Sequence, residues 1–537
     1  LLPGLKETPD PADGVAFVSE GKVRFRAGEA EKLVPLIYEV TDSNNHSPKA
    51  GYLRIQIVAP DVAANAAPLP ESVIARAIAG TSVRIPIPVD GIDPDGDSVE
   101  LVGTSSAPKK GRVSVGDSWL VYEAYTGTKG RDSFDYVVRD RLGAPATGSV
   151  VVGIAAPSNQ NQAPYTARDT VGVRPGRSVS VPVLQNDTDP DGDNVGLLSS
   201  GLTKPDGVTA EVVKSRVLVQ APATEGDYSI TYTAIDDFGA TSLGTLIVRV
   251  SADAPLEVPI ARDDRVQPSE VGAEPTVVVP VLDNDEDPDG VAEDLEVFTD
   301  AANALKRTDG ALEVTLTPEP QLILYSVKDV DQQTASAALF VPGTDSLLPT
   351  LKAVDPVEVE AGTQIRLPLA DYVKVRADHR PRIAQADSVR AGHAGGGSMV
   401  VDETTLSYTS DPGYYGPDAV SVQVTDGDGP DDPEGNSAYL SIPLLVLPTE
   451  NQPPVFLNTS VSVAPDEDPV DLNLAKLSSD PNPEDADKLT FRVGAVPSGF
   501  QARVEGEHLL VSAESGTPQG TTSEVTVEVS DGASTPT

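Results

Sequence analysis

The string Asp-Pro-Asp-Gly returns three times in this chain, as IDPDGDSVEL at 92–101, TDPDGDNVGL at 188–197 and EDPDGVAEDL at 286–295. A looser version, SDPNPEDADKLTF, runs over 479–491. The prolines stand at 94, 190, 288 and 481, so the steps are 96, 98 and 193 residues. The last step is close to twice the others and places a degenerate unit between 347 and 449. A period of about 97 residues is too long for a solenoid repeat and matches a small domain that buries its own core. A chain of 537 residues with this period is a tandem array.

The same signals follow one another inside each unit. An Asn-x-x-Pro segment opens it, at Asn65, Asn161 and Asn451. A strand pair with a Gly turn comes next, as in VGVRPGRSVSVPVL at 171–184, where apolar and polar residues alternate with the period of half-buried strands. The Asp-rich loop and further short strands follow. Each unit closes on a tyrosine-bearing strand, an acidic turn and a last strand, as in SITYTAIDDFGATSLGTLIVRV at 229–250. No amphipathic helix of three turns is visible. These signals predict units at 1–59, 60–156, 157–252, 253–346, 347–449 and 450–537. The first unit carries only closing strands and is expected to be the C-terminal part of a truncated domain.

Composition narrows the partners. The formal net charge is −43, which repels nucleic acid and anionic membrane surfaces. Hydrophobic residues make up 39%, enough for packed cores, but 4% aromatics and the single Trp119 imply cores of Val, Ile and Leu. With no cysteine there is no disulfide framework, thiolate metal site or thiol nucleophile. No apolar run approaches the roughly 18 residues that span a bilayer, so no direct membrane insertion is expected of this fragment. Opening at Leu1-Leu2-Pro3 and stopping at Pro536-Thr537, the chain is expected to be a piece of something longer.

The run Asn186-Asp187-Thr188-Asp189-Pro190-Asp191-Gly192-Asp193 resembles the N-D-x-D-P-D-G-D loop of the bacterial immunoglobulin-like and cadherin-like repeats of large surface proteins. The resemblance extends over nearly the whole chain. Unit six, from Asn451 to the closing EVSDG at 528–532, is similar to the dystroglycan-type cadherin-like variant. Unit five departs most: DYVKVRADHRPRI at 371–383 holds no Asp-Pro-Asp-Gly, although SDPGYYGPDAVSVQVTDGDG at 410–429 fits the closing strands. The resemblance implies an all-β fold, a linear array of immunoglobulin-like β-sandwich domains.

The aspartates admit two readings. Asp93, Asp95 and Asp97 alternate around Gly96, and short loops supply hard cations such as Ca²⁺ with oxygens in this way. The same letters are also the commonest turn residues. In a seven-strand sandwich the loop after the second strand and the loop between the last two lie at one end. That end faces the incoming linker, where Asn161 or Asp253 resides. Asp189, Asp191 and Asp193 are then expected to gather with Asp236 and Asp237, Asp93, Asp95 and Asp97 with Asp140, and Asp287 and Asp289 at the head of unit four. So many carboxylates repel unless a cation neutralises them. The family resemblance also implies calcium at such junctions; unit five is expected to be metal-free.

Nothing points to catalysis. His46, His379, His393 and His508 fall at no metal spacing, and no nucleophile elbow, Walker loop or His-Glu-x-x-His is present. GHAGGGS at 392–398 precedes no helix and reads as a hairpin loop. The sequons at Asn45, Asn186 and Asn458 are the number chance supplies. The expectation is a non-catalytic stalk or adhesin segment of a bacterial surface protein, secreted or at the cell surface. Its partners would be its own neighbouring domains and a cell-surface protein or glycan. Two alternatives stand beside it. Unit five, with the basic stretch Lys374 to Arg382, could be a binding module for a host protein or glycan, or the units could be accessory domains of a secreted enzyme.

Overall fold

The computed structural model describes residues 2–533 apart from 20, 42–48, 60, 62, 117, 157–159, 273, 353–354, 430–431 and 433. Asn45, His46 and the boundary residues 60 and 157 lie outside the described residues.

Alternation of side chains sets the strands. In Gly130–Asp140 of unit two, Phe134, Tyr136 and Val138 are buried while the residues between them are not, so one face makes core and the other meets solvent. That strand joins Val73–Ile78, Val99–Thr104 and Pro145–Ala155 in a four-stranded sheet. Ser82–Pro86, Gly111–Val115 and Trp119–Ala124 form the facing three-stranded sheet. The first strand runs parallel to the last, with Val73 opposite Val150, and every other pairing in the unit is antiparallel. Units three and four repeat the four-plus-three arrangement and the parallel first strand.

Unit five keeps the plan with a five-stranded and a three-stranded sheet. Its one departure is a single helical turn, Leu369–Tyr372, leading into the segment where its neighbours carry the Asp loop. In unit six a three-stranded sheet faces a two-stranded one. In unit one Leu2–Glu7, Lys32–Thr41 and Lys49–Ile57 form one sheet and Gly14–Ser19 pairs with Lys22–Ala27. The longest helical piece among the described residues is the 3₁₀ segment Pro483–Lys488. The chain is all β, built of tandem sandwiches.

Each of units two to six has its own hydrophobic cluster, and none of these clusters crosses a unit boundary. A recurring pair anchors them. The tyrosine of the sixth strand stands opposite a glycine of the seventh: Tyr136 and Gly148, Tyr232 and Gly244. Unit one has the same pair in Tyr38 and Gly51, and unit four replaces the glycine with Ala337 opposite Tyr325. A Cβ at Gly148 or Gly244 would overlap the tyrosine ring, so the ring lies flat across the glycine backbone. Its hydroxyl then reaches the chain entering the unit, with Tyr136 donating to the Glu71 carbonyl at 2.5 Å and Tyr325 to that of Arg262 at 2.8 Å. Gly244→Val should destabilise unit three by about 1–3 kcal/mol, the usual cost of overpacking. Chemical denaturation with Tyr232→Phe as a volume-neutral control reads the difference.

The row of units is not straight. Units that are not chain neighbours touch. Arg24 of unit one pairs with Asp263 of unit four, and the Arg265 Nη1 of unit four lies 3.3 Å from Glu100 Oε2 of unit two. Gln160–Asn161 pairs with Asn458–Thr459, joining units three and six, and His393 of unit five lies 6.3 Å from the Tyr125 ring of unit two. The attraction comes from scarce bases meeting abundant acids across unit surfaces. Partly exposed ion pairs contribute about 0–1 kcal/mol each, and a charge of −43 opposes compaction. Scattering in solution should therefore give a radius of gyration well above the ~24 Å of a compact globule of this length. A value near 24 Å would mean that the units are locked into one body.

Candidate metal centres at the head of each unit

Asp-Pro-Asp-Gly folds into the same turn in units two and three, whereas in unit four Gly290 does not take the positive φ of its counterparts. The first aspartate accepts the backbone N–H two residues on: Asp93 Oδ1 from Asp95 at 2.9 Å, Asp189 Oδ1 from Asp191 at 2.7 Å. Unit six does so with Asp480 Oδ1 and Asn482 at 2.8 Å. The glycine holds positive φ, 83° at Gly96 and 84° at Gly192, which lets the chain reverse within the loop. The residue after the loop proline holds the incoming linker. Asp95 Oδ2 accepts from the Ala66 N–H at 2.7 Å, Asp191 Oδ2 from Gln162 at 2.6 Å, Asp289 Oδ1 from Glu257 at 3.1 Å and Asn482 Oδ1 from Gln452 at 2.8 Å.

The acidic turn between the last two strands supplies another carboxylate. Asp140, Asp236, Asp329 and Asp531 are buried at that turn, and the first three follow the core tyrosine by four residues. In units two, three and six the linker asparagine donates to this group: Asn65, Asn161 and Asn451 each bond Asp140, Asp236 and Asp531 respectively at 2.7 Å. Unit four has Leu256 there. The head of a unit is thus one cluster joining the Asp loop, the closing turn and the linker.

Unit three brings the groups closest. One carboxylate oxygen from each of Asp189, Asp193 and Asp236 lies within 4.8 Å of the other two. Oxygens bound to one Ca²⁺ at about 2.3–2.6 Å stand no more than about 5 Å apart, so the three fit a single coordination sphere. Asp189 Oδ2, Asp193 Oδ2 and the Oδ1 of Asn161 are buried with no hydrogen-bond partner, and Asn161 is 1% exposed. Buried acceptors are almost always satisfied, so these oxygens call for a positively charged partner. The donor set is all oxygen, with no sulfur or imidazole, which suits a hard divalent cation.

The other heads carry the same signature. Asp93 Oδ2 and Asn65 Oδ1 are unpartnered in unit two, Asp287 Oδ1 and Asp329 Oδ2 in unit four, and Asp480 Oδ2 in unit six. In unit four Asp287, Asp289 and Asp329 are each at most 5% exposed. There Arg177 of unit three approaches from the preceding domain and donates two hydrogen bonds to the Asp331 carboxylate, with Nη2 to Oδ1 at 2.7 Å. Asp237 is exposed and takes the Asn194 amide at 2.9 Å instead of entering the cluster. Asp253, at the linker into unit four, bonds only Ser251 Oγ, at 3.2 Å.

The electrostatics follow from burial. Desolvation, then the charges of Asp189, Asp236, Asp191 and Asp237, push the Asp193 carboxyl up to about 6. Desolvation with Asp289 and Asp329 pushes Asp287 up to about 7. Burial also raises Asp97, with Asp93 and Asp140 adding to it, and raises Asp189 and Asp480. Asp140 goes the other way: burial is outweighed by bonds from Asn65 and from the turn's N–H groups.

Unit five solves the same problem without a loop. Asp426 occupies the closing-turn position, and the Arg376 guanidinium takes both its oxygens, Nε to Oδ2 at 2.6 Å and Nη2 to Oδ1 at 2.9 Å. The basic stretch that suggested a ligand surface is engaged within the chain. Lys374 Nζ binds the Ser269 and Val271 carbonyls at 3.0 and 2.6 Å, and Arg382 lies 2.7 Å from Glu403.

Sequence reasoning missed Asp329, Asp480, Asn482, Asp531 and the linker residues Asn65 and Asn451 as parts of these heads. The four-residue step from Tyr325 to Asp329, equal to that from Tyr136 to Asp140, was the available signal. The histidines take ordinary roles: His393 stacks on Tyr414 with centroids 3.7 Å apart, and His508 Nδ1 lies 2.8 Å from Asp471.

A carboxyl with a raised pKa binds its proton more tightly folded than unfolded, where the value is roughly 3.9. With divalent cations chelated, stability is therefore greatest near pH 4 and falls as pH rises through about 6 in unit three and about 7 in unit four. Melting of the chelated protein should rise when pH drops from about 7.5 to about 5, the reverse of ordinary acid denaturation. A flat or falling melting temperature over that range would show the heads to be solvated turns.

Three stretches of the chain match the family described as bacterial Ig domain, at residues 65–153, 161–249 and 347–434. A comparison with curated protein sequences finds no match. Among solved structures, the human desmocollin-1 ectodomain is similar at 12% identity and TM-score 0.20, covering 88% of this chain and 96% of its own. Drosophila N-cadherin EC1–4 is similar at 11% and 0.19, over 64% and 92%. An endo-fucoidan hydrolase of glycoside hydrolase family 107 is similar at 14% and 0.19, over 46% and 38%, so the chain spans well under half of that protein. Scores this low carry no argument about function. No helix among the described residues is long and apolar enough to cross a membrane.

Proposed function

Units two, three and five are bacterial Ig domains set in a tandem array of Ig-like repeats, and from that premise we propose that the chain is a non-catalytic stalk or adhesin segment of a bacterial surface protein, its joints stiffened by calcium. The observation that carries the reading is the repeated head. In units two, three, four and six a carboxylate with an unpartnered buried oxygen sits beside the segment entering the unit. In those four units the residue after the loop proline holds that segment's N–H.

A cation at such a head would act through Asp189, Asp193 and Asp236 in unit three, with the Asn161 carbonyl oxygen beside them. Bound calcium would supply the positive charge that lets these carboxylates stay ionised together. Because Asn161 bonds Asp236 of the cluster and Gln162 bonds Asp191 of the same loop, ordering the cluster orders the linker and restricts hinge motion between units two and three. Domains held at fixed angles space a distal part from the cell surface. The acidic exterior keeps the stalk off other anionic surfaces. The ligand-binding reading of unit five loses its support, since Lys374, Arg376 and Arg382 are all bonded inside the chain.

Titration calorimetry of the whole chain with calcium should show binding, and millimolar calcium should raise the melting temperature by mass action, the stability gain being about 2.7 kcal/mol at a hundred times Kd. Asp193→Asn should lower calcium affinity by about tenfold or more while leaving the chelated protein as stable as before, or more so, because it relieves repulsion. Absence of heat together with an unchanged melting temperature would sink the calcium reading.

A further inference from the structure

In units two and three the closing-turn carboxylate is held by neutral amide donors, whereas in unit five its partner is an arginine. Asp426 is 4% exposed, and its oxygens receive the Arg376 Nε and Nη2 and the Asn436 N–H at 2.6, 2.9 and 2.7 Å. The guanidinium does more than pair. Its Nη1 donates to the Asp345 carbonyl at 2.9 Å, in the segment leaving unit four, and its Nη2 to the Glu434 carbonyl at 2.7 Å, in the closing loop. One planar cation therefore ties the closing turn, the closing loop and the incoming linker. These are the elements that the carboxylate heads of units two and three bring together. Asn436 Nδ2 adds two bonds to that linker, to the Asp345 and Leu347 carbonyls at 3.0 and 3.1 Å. Two residues before Arg376, Lys374 holds the Ser269 and Val271 carbonyls of unit four.

We infer that Arg376 is the built-in counter-ion of the joint between units four and five, a fixed guanidinium standing where the other heads present unpartnered oxygens, so that this joint stays locked whatever the calcium concentration. The charge logic is the same in both kinds of head: a buried carboxylate needs a positive partner. The difference is that a side chain cannot dissociate. Arginine is the residue suited to it, because its fork satisfies both carboxylate oxygens and still has donors for carbonyls. The loss of Asp-Pro-Asp-Gly from unit five is then a replacement and not a decay, since the residues that remain supply the charge and the contacts. The array would combine joints that soften when calcium falls with one that does not. That contrast rests on the calcium reading of the other heads; the arginine lock does not.

Hydrogen exchange on the full chain, resolved by peptide, tests both separately. In the wild type, protection at 343–349 and 434–437 should be equal in calcium and in excess chelator. Arg376→Gln should speed exchange there by about a hundredfold in both conditions, as expected when one partner of a buried pair is removed, while the central strand at 418–424 stays protected. If that strand also loses protection, Arg376→Lys decides: the restored charge should recover it, and failure to do so would overturn the counter-ion role. Unchanged exchange in the glutamine variant, or wild-type protection at 343–349 that falls on chelation, would overturn the inference. The segment around Gln162 reports the calcium reading independently, and its insensitivity to chelator would leave the arginine result standing.

Discussion

A buried carboxylate beside other carboxylates is the interaction on which this molecule turns. The sandwich cores are conventional and self-sufficient, each closed within its own unit. What joins the units is the head, where Asp loop, closing turn and linker meet and negative charge accumulates out of water. Repulsion there must be met by protonation, by a cation or by a basic side chain. The chain shows signs of each answer: raised carboxyl pKa values in units three and four, oxygens arranged for a hard cation in unit three, and Arg376 in unit five.

The heads differ in how much they borrow from their neighbours. In unit three the cluster is internal, and the preceding domain contributes contact only, with Ile78 lying against Gly192. In unit four the preceding domain reaches in with charge: Arg177 pairs with Asp331, and Arg216 with Arg262 brackets Glu286. Unit five needs nothing external for neutrality, but it grips unit four through Lys374. Joints of graded stiffness follow from these choices, because a charge supplied by a neighbour couples two domains directly. Contacts between units distant in sequence are of another kind: single partly exposed ion pairs, a ring contact and the two-residue strand pairing of 160–161 with 458–459.

Much of this was legible in the sequence. The spacing of Pro94, Pro190, Pro288 and Pro481 marked the array, and strand alternation marked the sandwiches, because the periods of side-chain direction and domain length are written in the residues themselves. Asp189, Asp193 and Asp236 could be placed at one end from topology alone. The same reasoning could not say that Asp191 spends its oxygens on Gln162 while Asp237 turns to Asn194, because hydrogen-bond choice among close aspartates depends on distances of a few tenths of an ångström. Nor did the motif single out Asp480, whose loop has lost the glycine that made its relatives conspicuous.

Unit five shows most clearly where sequence stops. Its basic stretch reads as an exposed patch, since the ion-pair partner of Arg376 lies 50 residues away. Fold class, repeat number and the end of each sandwich that bears acid were determined by the sequence, because each rests on local periodicity. Which carboxylates face inward without a partner, which are claimed by the linker, and that Arg376 pairs with Asp426 were decided by tertiary structure alone. Those outcomes depend on closing strands that bring residues 30 to 80 positions apart within bonding distance.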